Sequence, residues 1–266
     1  MTQIPIETIV HALRTDGYYV IPNLFSASEC ATLCREFDDM LRRHAHRVQN
    51  KLEEGTFNDH RLFGVEAESD LIRERFHRNE LLIDIGRRFT ETENLVNHFV
   101  MGNKVVYDPA CPSNSGGGWH RDNYRNVYKA LVYLTDVGPA NGPFLIIRSS
   151  TRSALPPREP DTLRYSDEAV EELLKGVRRR PWRRERLVEL TGPAGSCVVF
   201  DRSCVHRGRN IEAGQRVALT NYYFPDTPER WQRSQERWGH HLVHPLVPAH
   251  ARMESGASRV VSGEAH

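Results

Sequence analysis

The chain has 266 residues, 39% hydrophobic and 27% charged, a balance that suits one ordinary globular domain with a sizeable buried core. Lys plus Arg (36) nearly equals Asp plus Glu (35), for a formal charge of +1, which argues against nucleic acid or an anionic membrane as the main partner. No stretch approaches the ~20 apolar residues of a membrane span, the first residues lack a secretion-signal pattern, and the five cysteines without a CxxC pair suit free thiols in a reducing cytoplasm.

Ile6, Ile9, Val10 and Leu13 fall at helical spacing, and Asp16-Gly17 is a stop. Tyr18-Tyr19-Val20-Ile21, closed by Pro22, reads as a strand. Ser26 with Glu29 three residues on forms a capping box, and Leu33, Phe37, Met40 and Leu41 supply the apolar stripe of a second helix. A further helix is expected over 80–90. From about Asn97 short β-rich runs follow one another at 98–100, 104–107, 129–134, 144–147, 196–200 and 217–224, with Gly, Pro and Asn between them. Many short strands with turn signals predict a barrel or sandwich rather than βαβ units.

One segment interrupts this region. Acidic helical residues (Asp167, Glu168, Glu171, Glu172) precede Arg178-Arg179-Arg180 and Arg183-Arg184. The pattern reads as a solvated helix C-terminus, where cations suit the dipole, rather than a nucleic-acid site. The expected layout is a single domain over 1–266. Residues 1–95 form a mainly helical part packed on the core, and 96–225 form the core with a lid-like insertion at about 152–190. Residues 226–266 form a C-terminal cover and tail.

Gly118-Trp119-His120-Arg121-Asp122 carries the first chemical signal. Side chains two apart on a strand share a face, so His120 and Asp122 offer an imidazole and a carboxylate to one ion. An HxD alone is a weak signal, since a histidine at a barrel mouth is often a hydrogen-bonded surface residue. His206 follows 86 residues later, after an apolar run, and two His with one carboxylate match the facial triad of non-haem Fe(II) oxygenases. Ten residues beyond lies Arg216, opening the run Val217-Ala218-Leu219-Thr220-Asn221-Tyr222-Tyr223-Phe224. Such an arginine either faces solvent or pairs its planar fork with a buried anion such as a carboxylate.

The ordered set Gly118–Asp122, then Lys129–Val137 with Asn141-Gly142-Pro143-Phe144, then His206 to Arg216, resembles the phytanoyl-CoA dioxygenase-like family. The opening with Asp16-Gly17-Tyr18-Tyr19-Val20-Ile21 before Ser26 fits the same likeness, which covers most of residues 10 to 225. Within the family the chain looks closest to the compact bacterial branch of free amino acid hydroxylases and halogenases. The resemblance implies a mainly β fold with flanking helices, built on a double-stranded β-helix (jelly-roll, cupin-like) core. It also implies Fe(II) held by His120, Asp122 and His206, with 2-oxoglutarate and O₂ as co-substrates that give succinate and CO₂. Arg216 would bind 2-oxoglutarate, and Arg61 resembles a second arginine used for this in the compact branch. Halogenating relatives carry a small residue where this chain keeps Asp122, so hydroxylation is expected over halogenation.

Around these, Trp119 is expected to pack beside the metal strand. Asn103, Asn123 and Asn221 are amides on or beside the β core that a polar substrate would satisfy, Trp238 would close the mouth, and His240-His241 reads as surface. Near-neutral charge suits a small polar substrate, a free amino acid or natural-product intermediate. A fatty acyl-CoA is disfavoured because no basic cluster stands outside the insertion. Two rivals stay open: a catalytically silent jelly roll that binds a small molecule or protein, and a Zn²⁺ hydrolase using the same ligands.

Overall fold

The computed structural model of the chain describes residues 5–51, 56–110, 118–122, 127–150, 163–175, 186–246 and 248. Helix α1 (Ile6–Thr15) buries Ile9, Val10 and Leu13 and ends before Gly17, whose φ of 90° only glycine adopts without strain. Strand β1 (Tyr18–Ile21) follows. Helix α2 (Ala27–Arg43) opens on both bonds of the Ser26–Glu29 capping box and buries Cys30, Leu33, Phe37 and Met40. Strands β2 (Gln49–Lys51) and β3 (Thr56–Phe63) form an antiparallel pair. Helix α3 (Asp70–Ile72) runs on into a wider turn through His77, and α4 (Glu80–Thr90) starts from an Asn79 cap.

The remaining strands are β4 (Leu95–Val106), β5 (Trp119–Arg121), β6 (Tyr128–Tyr133), β7 (Phe144–Ile147), β8 (Leu163–Tyr165), β9 (Leu187–Leu190), β10 (Cys197–Asp201), β11 (His206–Gly208) and β12 (Gln215–Pro225). Helix α5 (Asp167–Lys175) lies between β8 and β9, and α6 (Pro228–Trp238) follows β12. The strands form two sheets, one of seven in the order β1-β10-β6-β12-β4-β3-β2 and one of five in the order β8-β5-β11-β7-β9. Neighbouring strands are antiparallel throughout, and the two sheets make the jelly roll that the family resemblance implies.

Alternation along each strand sorts the large sheet into two faces. Tyr128, Ala130 and Val132 of β6, Cys197 and Val199 of β10, and Val217 and Leu219 of β12 pack under the helices with Leu13, Leu33, Phe37, Ile85 and Phe89. Each large apolar side chain buried there contributes about 1.5–3 kcal/mol. The opposite face, with Tyr133, Val198, Phe200 and Ala218, meets Phe144 and Ile146 of the small sheet. Trp119, Leu145, Ile147 and Val205 point outward from the small sheet and are covered by Val170 and Leu174 of α5. Helix α6 is moored to β4 where His98 stacks on Trp231, ring centroids 3.8 Å apart, and shares a 2.9 Å hydrogen bond with Ser234. Among the described residues no helix is long and apolar enough to cross a membrane.

Two expectations about elements need revision, and a third gains detail. The runs at 98–100 and 104–107 are one strand, β4. Its apparent break at Gly102 is a place where any β-carbon would overlap the Phe37 ring, so glycine there lets α2 lie close to the sheet. The part before residue 95 is mainly helical, and it also supplies β1, β2 and β3, which extend the large sheet on both edges. The stretch expected as an insertion supplies β8 and β9, the two edge strands of the small sheet. Residues 151–162 and 176–185, which include the arginine run, and the tail from 249 onward lie outside the described residues, as does Cys111. The four described cysteines are free thiols.

Candidate metal centre

His120 sits in β5, with Asp122 just beyond its end, and β11 pairs with β5 so that His206 and His120 are cross-strand partners. Antiparallel pairing thus joins residues far apart in the chain. Their rings lie 4.4 Å apart, and ligand atoms of His120, Asp122 and His206 all fall within 4.8 Å of one another. Each imidazole is turned by a backbone carbonyl: His120 Nδ1 is 2.9 Å from Gly118 O and His206 Nδ1 is 2.8 Å from Cys204 O. A carbonyl only accepts, so Nδ1 carries the proton and Nε2 offers a lone pair to the shared site. Burial lowers both histidines, and with the help of the neighbouring His120 it pushes His206 down to about 3. Both rings are therefore neutral at pH 7, as metal ligation requires.

Asp122 is gripped from behind. Its N–H donates to Arg202 O at 2.9 Å, Lys129 Nζ donates to its Oδ2 at 2.7 Å, and Arg202 Nε stands 3.4 Å from the same oxygen. Oδ1 faces His120 Nε2 at 3.7 Å. Burial alone would raise this carboxyl, but Lys129, then Arg202, His206 and His120, outweigh it and hold it well below the usual carboxylate range.

The triad opens onto a cavity of about 500 Å³ between the sheets. Strand parity selects its wall: Lys129, Leu131 and Tyr133 from β6, and Arg216, Ala218, Thr220 and Tyr222 from β12. Arg216 is buried, and its guanidinium donates to two neutral acceptors, Gly142 O and, at 3.4 Å, Asn103 Oδ1. Arg61 also reaches the cavity, but its fork grips Asp59 through two bonds of 3.1 and 2.6 Å. Asn103 donates to Asp59 as well, so it links Asp59 to Arg216 instead of waiting for a substrate. Trp238 lines the mouth, packed against Phe99 and Tyr222.

The remaining expected residues stand as follows. Asn221 is fully buried and turned away from the cavity, bonded to Asn97, Phe76 O and the Tyr223 hydroxyl. Its odd offset from Arg216 puts it on the helix side of β12. Asn123 lies outside the described residues. Trp119 packs on the outer face of the small sheet, under the Arg207 guanidinium. His240 is exposed and His241 half-buried, in line with the surface reading, and both stand at the cavity mouth. Lys129, Arg164 and Arg237 line it too, a basic group that the sequence reading had not assembled. Lys129 was legible in part, since a lysine sharing strand parity with Leu131 and Tyr133 needs an anion or solvent.

A jelly roll that places two histidines and a carboxylate around one point, beside a buried arginine, defines a non-haem iron type of centre. Residues 13–218 match the family described as Phytanoyl-CoA dioxygenase (PhyH). The chain belongs to this family of iron- and 2-oxoglutarate-dependent oxygenases, and iron and 2-oxoglutarate are its cofactors. No curated protein matches the chain. Among solved structures, the non-heme alpha ketoglutarate dependent carbocyclase SnoK from nogalamycin biosynthesis superposes with a TM-score of 0.65 at 17% identity, covering 91% of this chain and 92% of that one. The epimerase SnoN, in complex with Fe3+, alpha ketoglutarate and nogalamycin RO, gives 0.62 at 18%, covering 84% of each chain. EctD from S. alaskensis with bound Fe gives 0.62 at 21%, covering 84% of this chain and 78% of that one. At these identities the likeness speaks to the fold alone.

Proposed function

We propose that this protein hydroxylates a C–H bond of a small polar molecule, using Fe(II) held by His120, Asp122 and His206. The observation that carries the reading is the convergence of their ligand atoms on one point at the wall of a cavity that also contains Arg216. Bound iron, with 2-oxoglutarate and O₂, supplies the oxidising power that removes a substrate hydrogen, releasing succinate and CO₂.

The chain's own groups do the positioning. Gly118 O and Cys204 O hold the imidazoles with Nε2 inward, while Lys129 and Arg202 occupy the outer oxygen of Asp122 and leave Oδ1 toward the histidines. Arg216 pairs with the far carboxylate of 2-oxoglutarate, because Gly142 and Asn103 orient its fork without neutralising it. Arg61 plays a lesser part, since Asp59 already answers its charge. Leu131, Phe144, Phe200 and Ala218 line the space around the metal and keep water from it. Asp122 fills the position that a halide would need, which favours hydroxylation over halogenation. Trp238 contributes to the substrate side of the cavity, and the solved relatives' small-molecule ligands support a small-molecule substrate here.

Anaerobic addition of Fe(II) and then 2-oxoglutarate tests the reading. A weak visible charge-transfer band, and succinate release in air that Asp122→Ala abolishes, are the expected results. No band and no succinate would leave a silent binding module, and activity that persists without O₂ would select a hydrolase. Product mass separates outcomes: a gain of one oxygen atom marks hydroxylation, whereas an epimerase or carbocyclase product carries none.

A further inference from the structure

Lys129 can do more than hold Asp122. Strand parity turns it into the cavity with Leu131 and Tyr133, and its Nζ donates to Asp122 Oδ2 at 2.7 Å, one carboxylate group away from the point where the three ligands converge. From another side it stands 4.6 Å over the Tyr222 ring. An ammonium has three N–H donors. Asp122 takes one and the face of Tyr222 at most a second, so at least one is left for the cavity.

Charge points the same way. Arg202 Nε stands 3.4 Å from the same Oδ2, and among the described residues Asp122 is the one acid paired with either cation. Lys129 and Arg202 are 12% and 14% exposed, so two mostly buried cations share a single carboxylate. A buried charge without a counter-ion is costly, and a divalent ion at the triad adds further positive charge. An anion arriving at the metal side relieves both.

The spacing fits the co-substrate. Arg216 bonds Asn103 Oδ1, and Asn103 is the cross-strand partner of Ala218, whereas Lys129 is the partner of Tyr222. The two cationic heads are therefore set about four residues apart along β12, roughly 13 Å at the rise of a strand. A five-carbon dicarboxylate with a hydrogen bond at each end spans roughly 12 Å.

We infer that Lys129 is a second anchor for 2-oxoglutarate, donating to the carboxylate at the metal end while Arg216 holds the far one. An anchor at each end fixes the orientation of the co-substrate across the cavity. This role rests on the reading above for the metal ligands and for Arg216. It gives Lys129 a contact of its own, beyond the support it lends to Asp122.

The test uses the full chain with Ni(II) at a concentration that saturates every variant. Calorimetry follows 2-oxoglutarate and 2-oxovalerate, which keeps the oxo-acid end and lacks the far carboxylate. Lys129→Met should weaken both about tenfold to a hundredfold, the loss of a hydrogen bond between charged groups. The preference for 2-oxoglutarate should stay intact, because Arg216 supplies it. Lys129→Arg should restore most of the loss. Arg202→Met loosens the same Asp122 oxygen from outside the cavity lining, so it should weaken both by no more than about threefold. With Fe(II) under argon, the 2-oxoglutarate charge-transfer band should move to shorter wavelength in Lys129→Met, because a nearby ammonium lowers the orbital that accepts the electron. A lysine acting only through Asp122 would move it to longer wavelength, since a carboxylate freed from its ammonium donates more strongly to iron. Unchanged oxo-acid affinity in Lys129→Met, an equal loss in Arg202→Met, or a band that stays or moves to longer wavelength would each overturn the inference. Failure of the unaltered protein to take up Ni(II) and 2-oxoglutarate sinks the functional reading instead, whereas uptake that is indifferent to Lys129 sinks only the second anchor. Near-ultraviolet circular dichroism matching that of the unaltered protein shows that each variant is folded.

Discussion

Lys129→Met removes one ammonium and keeps an unbranched stem of similar length, so the wall of β6 stays filled. In the native site Nζ donates to Asp122 Oδ2 at 2.7 Å, and both side chains are largely buried, 12% and 15% exposed. A hydrogen bond to a charged group contributes about 1.5–3 kcal/mol. Arg202 stays 3.4 Å from the same oxygen and retains part of that hold, so the lower half of the range applies. At about 1.4 kcal/mol per factor of ten, metal affinity should fall roughly tenfold to fiftyfold. Chelator competition with Co(II) at pH 7 reads this directly. The variant should also lose metal earlier on acidification, because burial raises the Asp122 carboxyl and Lys129 is the foremost charge that pulls it down. Lys129→Arg should recover most of both effects. Wild-type affinity together with an unshifted pH profile in Lys129→Met would refute the reasoning and leave Asp122 held by Arg202 and its backbone alone.

Arg216→Met should weaken 2-oxoglutarate binding by at least about thirtyfold, the consequence of losing one partner of a buried charge pair, while calorimetry shows Co(II) binding little changed. Gly102→Ala, which drives a methyl into the Phe37 ring, should destabilise the fold by about 1–3 kcal/mol and lower the thermal midpoint. Acid should weaken the metal-free protein before its carboxylates titrate. His98 and His206 are held down to about 3, chiefly by burial, against an ordinary value near 6.5, so between those limits the unfolded chain takes up protons that the native one refuses. Stability then falls as pH drops from 6.5, with a slope from the two groups approaching about 2.7 kcal/mol per pH unit. Urea titrations at pH 7, 6 and 5 should show that slope roughly halved in His98→Asn, and an unchanged slope would count against a neutral buried His98.

Much of the site follows rules that act over a few residues. Period-two alternation places His120 and Asp122 on one face, and the same alternation carries Arg216 to the cavity with Ala218, Thr220 and Tyr222. The Ser26–Glu29 cap and the stop at Gly17 are likewise local, because the groups that satisfy the backbone stand within four residues of it. The same parity turns Asn221, an odd five residues from Arg216, to the helix side, away from any substrate.

Other features depend on which strands become neighbours, and no local pattern encodes that. Strand β3 has a polar sequence, Thr-Phe-Asn-Asp-His-Arg-Leu-Phe, and declares itself only by pairing with β4, which brings Asn103 to Asp59, while Asp59 and Arg61 meet locally as residues two apart on one face. Asp59 answers the charge of one candidate arginine, whereas the acceptors of Arg216 are the neutral Gly142 and Asn103 oxygens. Lys129 meets Asp122 because β5 and β6 lie in different sheets that face one cavity, and Arg164 and Arg237 reach its mouth from a sheet edge and a terminal helix. Local geometry placed His120 and Asp122 on one face and pointed to a barrel or sandwich of short strands, while the jelly-roll class, the full ligand set and the role of Arg216 came from the ordered motifs that resemble the family. The tertiary structure alone decided that Lys129 meets Asp122 and Asn103 meets Asp59, because those are distances across strands whose register is fixed only when the sheets assemble.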